Sequence, residues 1–390
     1  MTVVIAEHWP KRLMMGRGAV AQLPGVVAAL GASRALVICG RTIGRSPLLA
    51  AVQAALGSHF VGLFDQVTSH TPLTLLEATV GLVRSLGADV LVTIGGGSAI
   101  DAGKGTALLM AAGESLEPYT LRYDEAGQKE RRLLGGATIP HIAIPTTHGS
   151  ASEVMPTAGI RDTARRYKML FWDDALVPDA VILDPEMTGA TGPVLSAASG
   201  MTAVARCIEA LYSRHRNPLS EGLALHALRL LNANLPRVVA DGGDLDARFH
   251  CQVACTMSGV ATINAMASIV HALGHVVGGR YALQHGVSHS VLLVPAMRRL
   301  LPVIGDGQRL VLEALGGAAA GSADAAGIAA GERIAELVAR LPLRRRLREI
   351  GIPPEELPIM AQEATQDYMM ANLPLPMRAP DIEALLREAW

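Results

Sequence analysis

DVLVTIGGGSAIDAGK, residues 89–104, decides how this chain is read. Residues 90–94 are apolar or β-branched, the composition of a short buried strand. Gly95, Gly96 and Gly97 follow, then Ser98, and Ala99, Ile100, Ala102 and the apolar run 107–109 suit a helix. A buried strand, a glycine turn and a helix start make an anion site. Bare glycines let backbone N–H groups approach a phosphate, and the helix N-terminus adds partial positive charge. Lys104 lies about two turns into that helix, within reach of the site. A tight strand–helix turn without a ligand uses the same residues, so the rest of the chain must decide.

Upstream, residues 35–39 and 60–64 read as buried strands, with helices at 22–30, 46–56 and 73–86. Strands alternating with helices predict a parallel, doubly wound sheet, in which ligands bind outside the carboxyl ends of the strands. Gly40, Arg41 and Thr42 sit at one such end and residues 95–98 at another. Downstream, 117–134 is polar and reads as a surface excursion, and 141–145 as a strand. That strand empties into Thr146, Thr147, His148, Gly149 and Ser150, whose small hydroxyls suit ribose, phosphate or substrate, or an ordinary turn. Lys168 follows, then a strand at 180–183 ended by Pro185. Beyond it the character changes. Residues 196–213, 220–235, 247–266 and 269–277 read as helices, and 316–330 as an alanine- and glycine-rich loop into a helix at 332–341. The expected division is an α/β domain over 1–187 and an all-α domain over 188–390.

At 390 residues the chain is long for a single core, which agrees with two domains. A formal net charge of −1 provides no general attraction for nucleic acid or an anionic membrane, and neither partner is expected. No stretch approaches about 18 consecutive strongly apolar residues, so no transmembrane helix is expected. MTVVIAEHWPKRLMMG at the start lacks the long apolar core of a signal peptide. The four cysteines form no CxxC pair, and Cys251 and Cys255 fall on one helix face; a reducing, cytoplasmic location is expected.

The most chemical stretch of the second half is His271-Ala-Leu-Gly-His275, followed by His285-Gly-Val-Ser-His289. His271 and His275, four apart, share a face if helical. His285 lies past Gly278 and Gly279, where the chain is expected to turn back. Imidazoles converging from two elements suit a divalent metal or a proton relay.

Taken together these stretches resemble the iron-containing (group III) alcohol dehydrogenase family. GGGSAIDAGK at 95–104 resembles its pyrophosphate loop. PTTHGSASEV at 145–154 is similar to its PTT-x-GTGSE segment. KMLFWDDALVPDAVILDP at 168–185 resembles its domain-joining segment, and HALGHVVGGRYALQHG at 271–286 its HxxxH-x9-HG signature. The resemblance implies the dehydroquinate-synthase-like fold: an N-terminal dinucleotide-binding α/β domain and a helical C-terminal domain. It implies NAD or NADP as cofactor, held by Gly96, Gly97, Ser98 and Asp101. Thr146, Thr147 and Ser150 would line the nicotinamide side, Lys168 would approach the cofactor, and His275 would be a candidate acid/base. It also implies a small-molecule substrate, and a homodimer is expected.

The metal site departs from the family. Members bind their metal through Asp and His of a D-x-x-x-H helix plus the first and third signature histidines, here His271 and His285. In the matching stretch SGMTAVARCIEALYS, Thr202 replaces the Asp and Arg206 the His. Threonine is a poor ligand, and a guanidinium is always protonated and cannot coordinate. No ordinary iron or zinc site is therefore expected, and Arg206 becomes a candidate for polarising an alkoxide or binding a carboxylate. Maleylacetate reductases, in the same superfamily, also lack the aspartate; HTPLTLLEA at 70–78 and LSAASGMTAVARCIEALYSRHRNP at 195–218 resemble their segments. The expectation is an NAD(P)-dependent alcohol/carbonyl oxidoreductase. The alternatives are a maleylacetate-type reductase, a dehydroquinate-synthase-like lyase or cyclase, and a non-catalytic member of the family.

Overall fold

The computed structural model describes residues 11–68, 71–113, 115–123, 129–135, 138–165, 167–281, 283–300, 303–318 and 321–390; His70 of the 70–78 segment lies outside them. The chain divides into two units, one closing at Ala190 and one running from Thr191 to Trp390.

The first unit runs β1 (Arg12–Met15), α1 (Leu23–Ala29), β2 (Ala35–Gly40), α2 (Arg41–Gly44), α3 (Pro47–Leu56), β3 (Phe60–Val67), α4 (Leu73–Leu86), β4 (Val90–Gly95) and α5 (Gly97–Ala112). It continues through the short pair β5 (Arg122–Tyr123) and β6 (Lys129–Glu130), then β7 (His141–Pro145), β8 (Thr157–Asp162), β9 (Tyr167–Trp172) and β10 (Ala180–Leu183). Six strands form one parallel sheet in the order β1-β10-β7-β4-β2-β3. The inner strands β4 and β7 are buried at every position because helices cover both faces, and their two polar residues, Thr93 and His141, pair with each other at 2.8 Å. The alternation of side chains divides them: Leu36, Ile38 and Leu91 meet α4 and α5 through Leu76, Val80 and Leu108. Val37, Cys39, Val92 and Ile94 meet α1 and α3 through Leu23, Val27, Val52 and Leu56.

From β2 the chain crosses outward to β3, and from β4 it crosses the other way to β7. The strand order therefore reverses between β2 and β4, and their carboxyl ends frame the crevice where open α/β sheets bind ligands. Edge strand β1, the antiparallel hairpin β8–β9 and the pairing of β5 with β6 inside the polar excursion were not expected from sequence.

The second unit is helical: α6 (Pro193–Tyr212), α7 (Pro218–Ala240), α8 (Leu245–Ala265), α9 (Ile269–Tyr281), α10 (His285–Leu300), α11 (Gly307–Ala314), α12 (Ala323–Ala339), α13 (Leu357–Ala364) and α14 (Ala379–Ala389). By length and composition α6 could cross a membrane, but 78% of its apolar window is buried, packed on α7, α8 and α10. Two expectations are corrected. Residues 323–330 are helix, not loop: Ser322 caps α12 by accepting from Ala325 N at 3.2 Å, and the helix propensity of alanine outweighs Gly327 and Gly331. The chain does not turn at Gly278–Gly279 either. Both lie within α9, which runs to Tyr281.

Candidate functional site

In the α/β unit, Gly95 ends β4 with φ +151°, a value reserved for glycine, and a Cβ there would stand 2.7 Å from Ala99. Gly96 precedes the first turn of α5 with no side-chain cap; Ala99 N already donates to Gly96 O at 3.0 Å, which leaves the N–H groups of Gly97 and Ser98 to face an acceptor. The segment after β7 presses against this turn. Thr146 N donates to Gly95 O at 3.0 Å; a Cβ on Gly96 would lie 3.2 Å from Thr147, and one on Gly97 2.9 Å from Ser150. Thr71, on the other side, donates through Oγ1 to Ser98 O at 2.9 Å. Residues 95–98 and Thr146, Thr147 and Ser150 are thus assembled at one end of the sheet. Gly40, Arg41 and Thr42 stand at the end of neighbouring β2, where they lead into α2.

Two polar groups of this region have framework contacts. Asp101 accepts from Ser152 Oγ at 2.6 Å and Gly159 N at 3.1 Å, holding the β8–β9 hairpin to α5. Lys168, on β9, lies over Gly159, where a Cβ would stand 2.7 Å from its Cε. The expectation for Lys104 is corrected. Its Nζ donates to Met155 O at 2.6 Å and Thr157 O at 2.9 Å, because a buried ammonium must be hydrogen-bonded by the acceptors that face it. Burial also pulls it down to about 8, against the charges of Asp101 and Glu153.

In the helical unit the histidines come from two helices. His271 and His275 lie on α9, and His285 and His289 one turn apart on α10. Ring centroids are 4.4 Å apart for His271–His289, 5.7 Å for His285–His289 and 5.5 Å for His275–His285. Gly274 makes room for them, since a Cβ there would fall 2.6 Å from His289 Nε2. Gly286 brings α10 onto α6, where a Cβ would overlap Ala198 O. Burial pushes His289 far below the usual histidine range, and the charges of His271, His285, Arg206 and His275 push it the same way. Burial also lowers His271, although the Glu209 carboxylate opposes it.

Sequence reasoning passed over two residues here. Glu209, on α6 and fully buried, pairs through Oε2 with His271 Nδ1, while Oε1 accepts from Ser268 N at 3.1 Å, Ser268 Oγ at 3.1 Å and Val270 N at 2.8 Å. It therefore caps the start of α9 and sets the His271 ring. As the lone acid in an apolar 20-residue helix it carried a legible signal. Asp367, which accepts from His275 Nδ1 at 2.7 Å, carried none, being 92 positions away. Burial opposes its ionisation, but the His275 hydrogen bond and charge outweigh that and hold its carboxyl below the usual range.

The family's metal does not fit these residues. Thr202 Oγ1 donates back to Ala198 O at 3.4 Å. Arg206 lies one turn further along α6, and its charge is a lesser cause, behind burial, of the downward shifts of His271 and His289. The Glu209 carboxylate is already engaged by the start of α9, by His271 and by the Tyr212 hydroxyl. Among the described residues no group of three or more His, Cys, Asp or Glu is arranged to hold a metal ion.

Comparison with known proteins gives the same family for both units. "Iron-containing alcohol dehydrogenase" matches residues 10–185, and "Fe-containing alcohol dehydrogenase family, C-terminal" matches residues 196–390. The NAD-dependent methanol dehydrogenase of Bacillus methanolicus is 30% identical over 97% of this chain and 98% of its own. Maleylacetate reductase 2 of Cupriavidus pinatubonensis is 32% identical over 74% of this chain and 72% of its own. A crystal structure of 1,3-propanediol oxidoreductase superposes with a TM-score of 0.93 at 27% identity, covering all of both chains.

Proposed function

The chain belongs to the iron-containing alcohol dehydrogenase family, and from that premise we propose that it is an NAD(P)-dependent oxidoreductase of small alcohols and carbonyl compounds that works without a metal ion. The observation that carries the metal-free reading is the identity of two residues on α6: Thr202 and Arg206 stand at the positions where the family places an aspartate and a histidine ligand. A cation at that point repels a metal and cannot donate a lone pair to it.

The α/β unit fits a dinucleotide: glycines whose missing Cβ atoms keep the backbone bare lie beside an open helix N-terminus and three small hydroxyl residues. Residues 95–98 would hold the phosphates, Gly40, Arg41 and Thr42 the ribose end, and Thr146, Thr147 and Ser150 the nicotinamide side. Asp101 holds the hairpin that carries Lys168. When bound, the nicotinamide accepts or supplies the hydride. The helical unit carries the other candidate groups. His275, with its ring 31% exposed, exchanges the hydroxyl proton. Arg206 donates charged hydrogen bonds to the oxygen that becomes an alkoxide, the polarising task a metal has in metal-bound relatives. The same arginine favours a second reading, a maleylacetate-type reductase whose unsaturated oxo-acid presents it with a carboxylate. Four free, buried cysteines suit the reducing cytoplasm.

The test follows NADH and NADPH absorbance against aldehydes, ketones and unsaturated oxo-acids, with and without chelator, alongside elemental analysis of the purified protein. Turnover that survives chelation in protein holding well under one equivalent of metal is expected. About one equivalent of metal, lost together with activity on chelation, overturns the metal-free reading. No turnover of either cofactor across the panel overturns the oxidoreductase.

A further inference from the structure

His275 is held by a residue from a distant part of the chain. Asp367 Oδ2 accepts from His275 Nδ1 at 2.7 Å, and the carboxylate is fixed in turn: Oδ1 accepts from Met369 N at 2.9 Å, capping the short turn Tyr368–Asn372. That turn is tied to the junction before α9. Asn372 Nδ2 donates to Ala267 O at 2.8 Å, and Arg214 N donates to Asn372 O at 3.0 Å. The Tyr368 ring lies nearly parallel to the imidazole, with centroids 6.2 Å apart. On α9 the two histidines differ: His271 is buried against Glu209, whereas His275 keeps an exposed edge.

We propose that Asp367 is a positioning residue that fixes His275 in the Nδ1–H tautomer, so that Nε2 is the nitrogen offered to the substrate hydroxyl. The proposal rests on the reading of His275 as the acid/base group. An ionised carboxylate accepts only, so the nitrogen facing it carries the proton and the other keeps its lone pair. In alcohol oxidation the O–H bond breaks and its proton forms the Nε2–H bond of an imidazolium beside Asp367. The carbinol C–H bond breaks at the same time, its electron pair leaves as hydride to the oxidised cofactor, and the C=O bond forms. Carbonyl reduction runs each transfer backwards.

The geometry defines the test. In Asp367→Asn the amide oxygen is drawn to Met369 N, which turns the NH2 toward His275 Nδ1. That nitrogen must then accept, and the proton moves to Nε2. The expected result is a kcat lower by about 10²- to 10³-fold, with KM changed less than about threefold. Nitrogen NMR of the full-length protein should show the His275 proton moving from Nδ1 to Nε2, which a merely structural role would not produce. His275→Gln should lose as much, and the double variant no more than His275→Gln alone. Asp367→Ser, which has no amide to donate, should fall between wild type and Asp367→Asn. If His275→Gln keeps its kcat, the acid/base reading fails and the proposal with it. If His275→Gln is impaired but Asp367→Asn keeps wild-type kcat or tautomer, or the two losses multiply, the acid/base reading stands and the proposal for Asp367 falls.

Discussion

Glu209 should be the most sensitive single position of the helical unit. Its carboxylate has no exposed surface and accepts from Ser268 N, Ser268 Oγ, Val270 N and His271 Nδ1. Glu209→Ala leaves two backbone donors and an imidazole N–H in a dry site, while the hydroxyls of Ser268 and Tyr212, which also donate to this carboxylate, are free to rotate toward other acceptors. Each orphaned donor costs about 1–3 kcal/mol, while losing the buried charge itself returns part of that. The balance is a destabilisation of about 4 kcal/mol. In a unit of about 200 residues, 1 kcal/mol moves the melting temperature by about 2–4 °C, so a fall of about 8–16 °C is expected. Glu209→Gln keeps an oxygen for Ser268 N and Val270 N and opposes a donor only to His271 Nδ1; about 1–2 kcal/mol should be lost. Differential scanning calorimetry of the full chain at neutral pH reads both. A shift below about 3 °C for Glu209→Ala, or a larger shift for Gln than for Ala, would refute the reasoning, because the α9 donors would then have another acceptor.

NADPH should serve at least as well as NADH. Gly40, Arg41 and Thr42 offer the ribose no carboxylate that would repel a 2′-phosphate, and kcat/KM for the two cofactors checks it. A preference for NADH of about tenfold, about 1.4 kcal/mol, would count against this. The acid limb of stability should carry the signature of His141. This ring is buried against Thr93 Oγ1 at 2.8 Å and pushed down to about 3, chiefly by burial and then by the Lys104 charge. Below about pH 6.5 the unfolded chain binds a proton that the folded ring refuses, so the contribution is complete above that pH and is lost as pH falls toward 3. About 2 kcal/mol should be gone by pH 5, and His141→Gln should flatten that limb in urea titrations at pH 7 and 5. Equal slopes for the two proteins would exclude His141 as the cause.

What the sequence by itself determined was local. A continuous apolar run closed by glycines reports a strand buried on both faces, as at 90–95, and the 3.6-residue spacing of 73–86 reports a helix with one covered side. These signals lie within one element, so no folding of the rest is needed to read them. β1 escaped because four residues with exposed ends on a sheet edge leave no pattern, and the start of α12 escaped because its glycines imitate a loop. The motifs could also name Gly96, Thr147, Arg206 and His275 one by one. Only the tertiary structure decided which groups meet. Asp101 and Lys104 are held by the β8–β9 hairpin and the loop before it, whose pairing the sequence pattern does not report. Glu209 reaches His271 across 62 positions, and Asp367 reaches His275 across 92. Those contacts arise from how helices pack, which depends on summed side-chain volumes over whole faces and not on any residue's immediate neighbours.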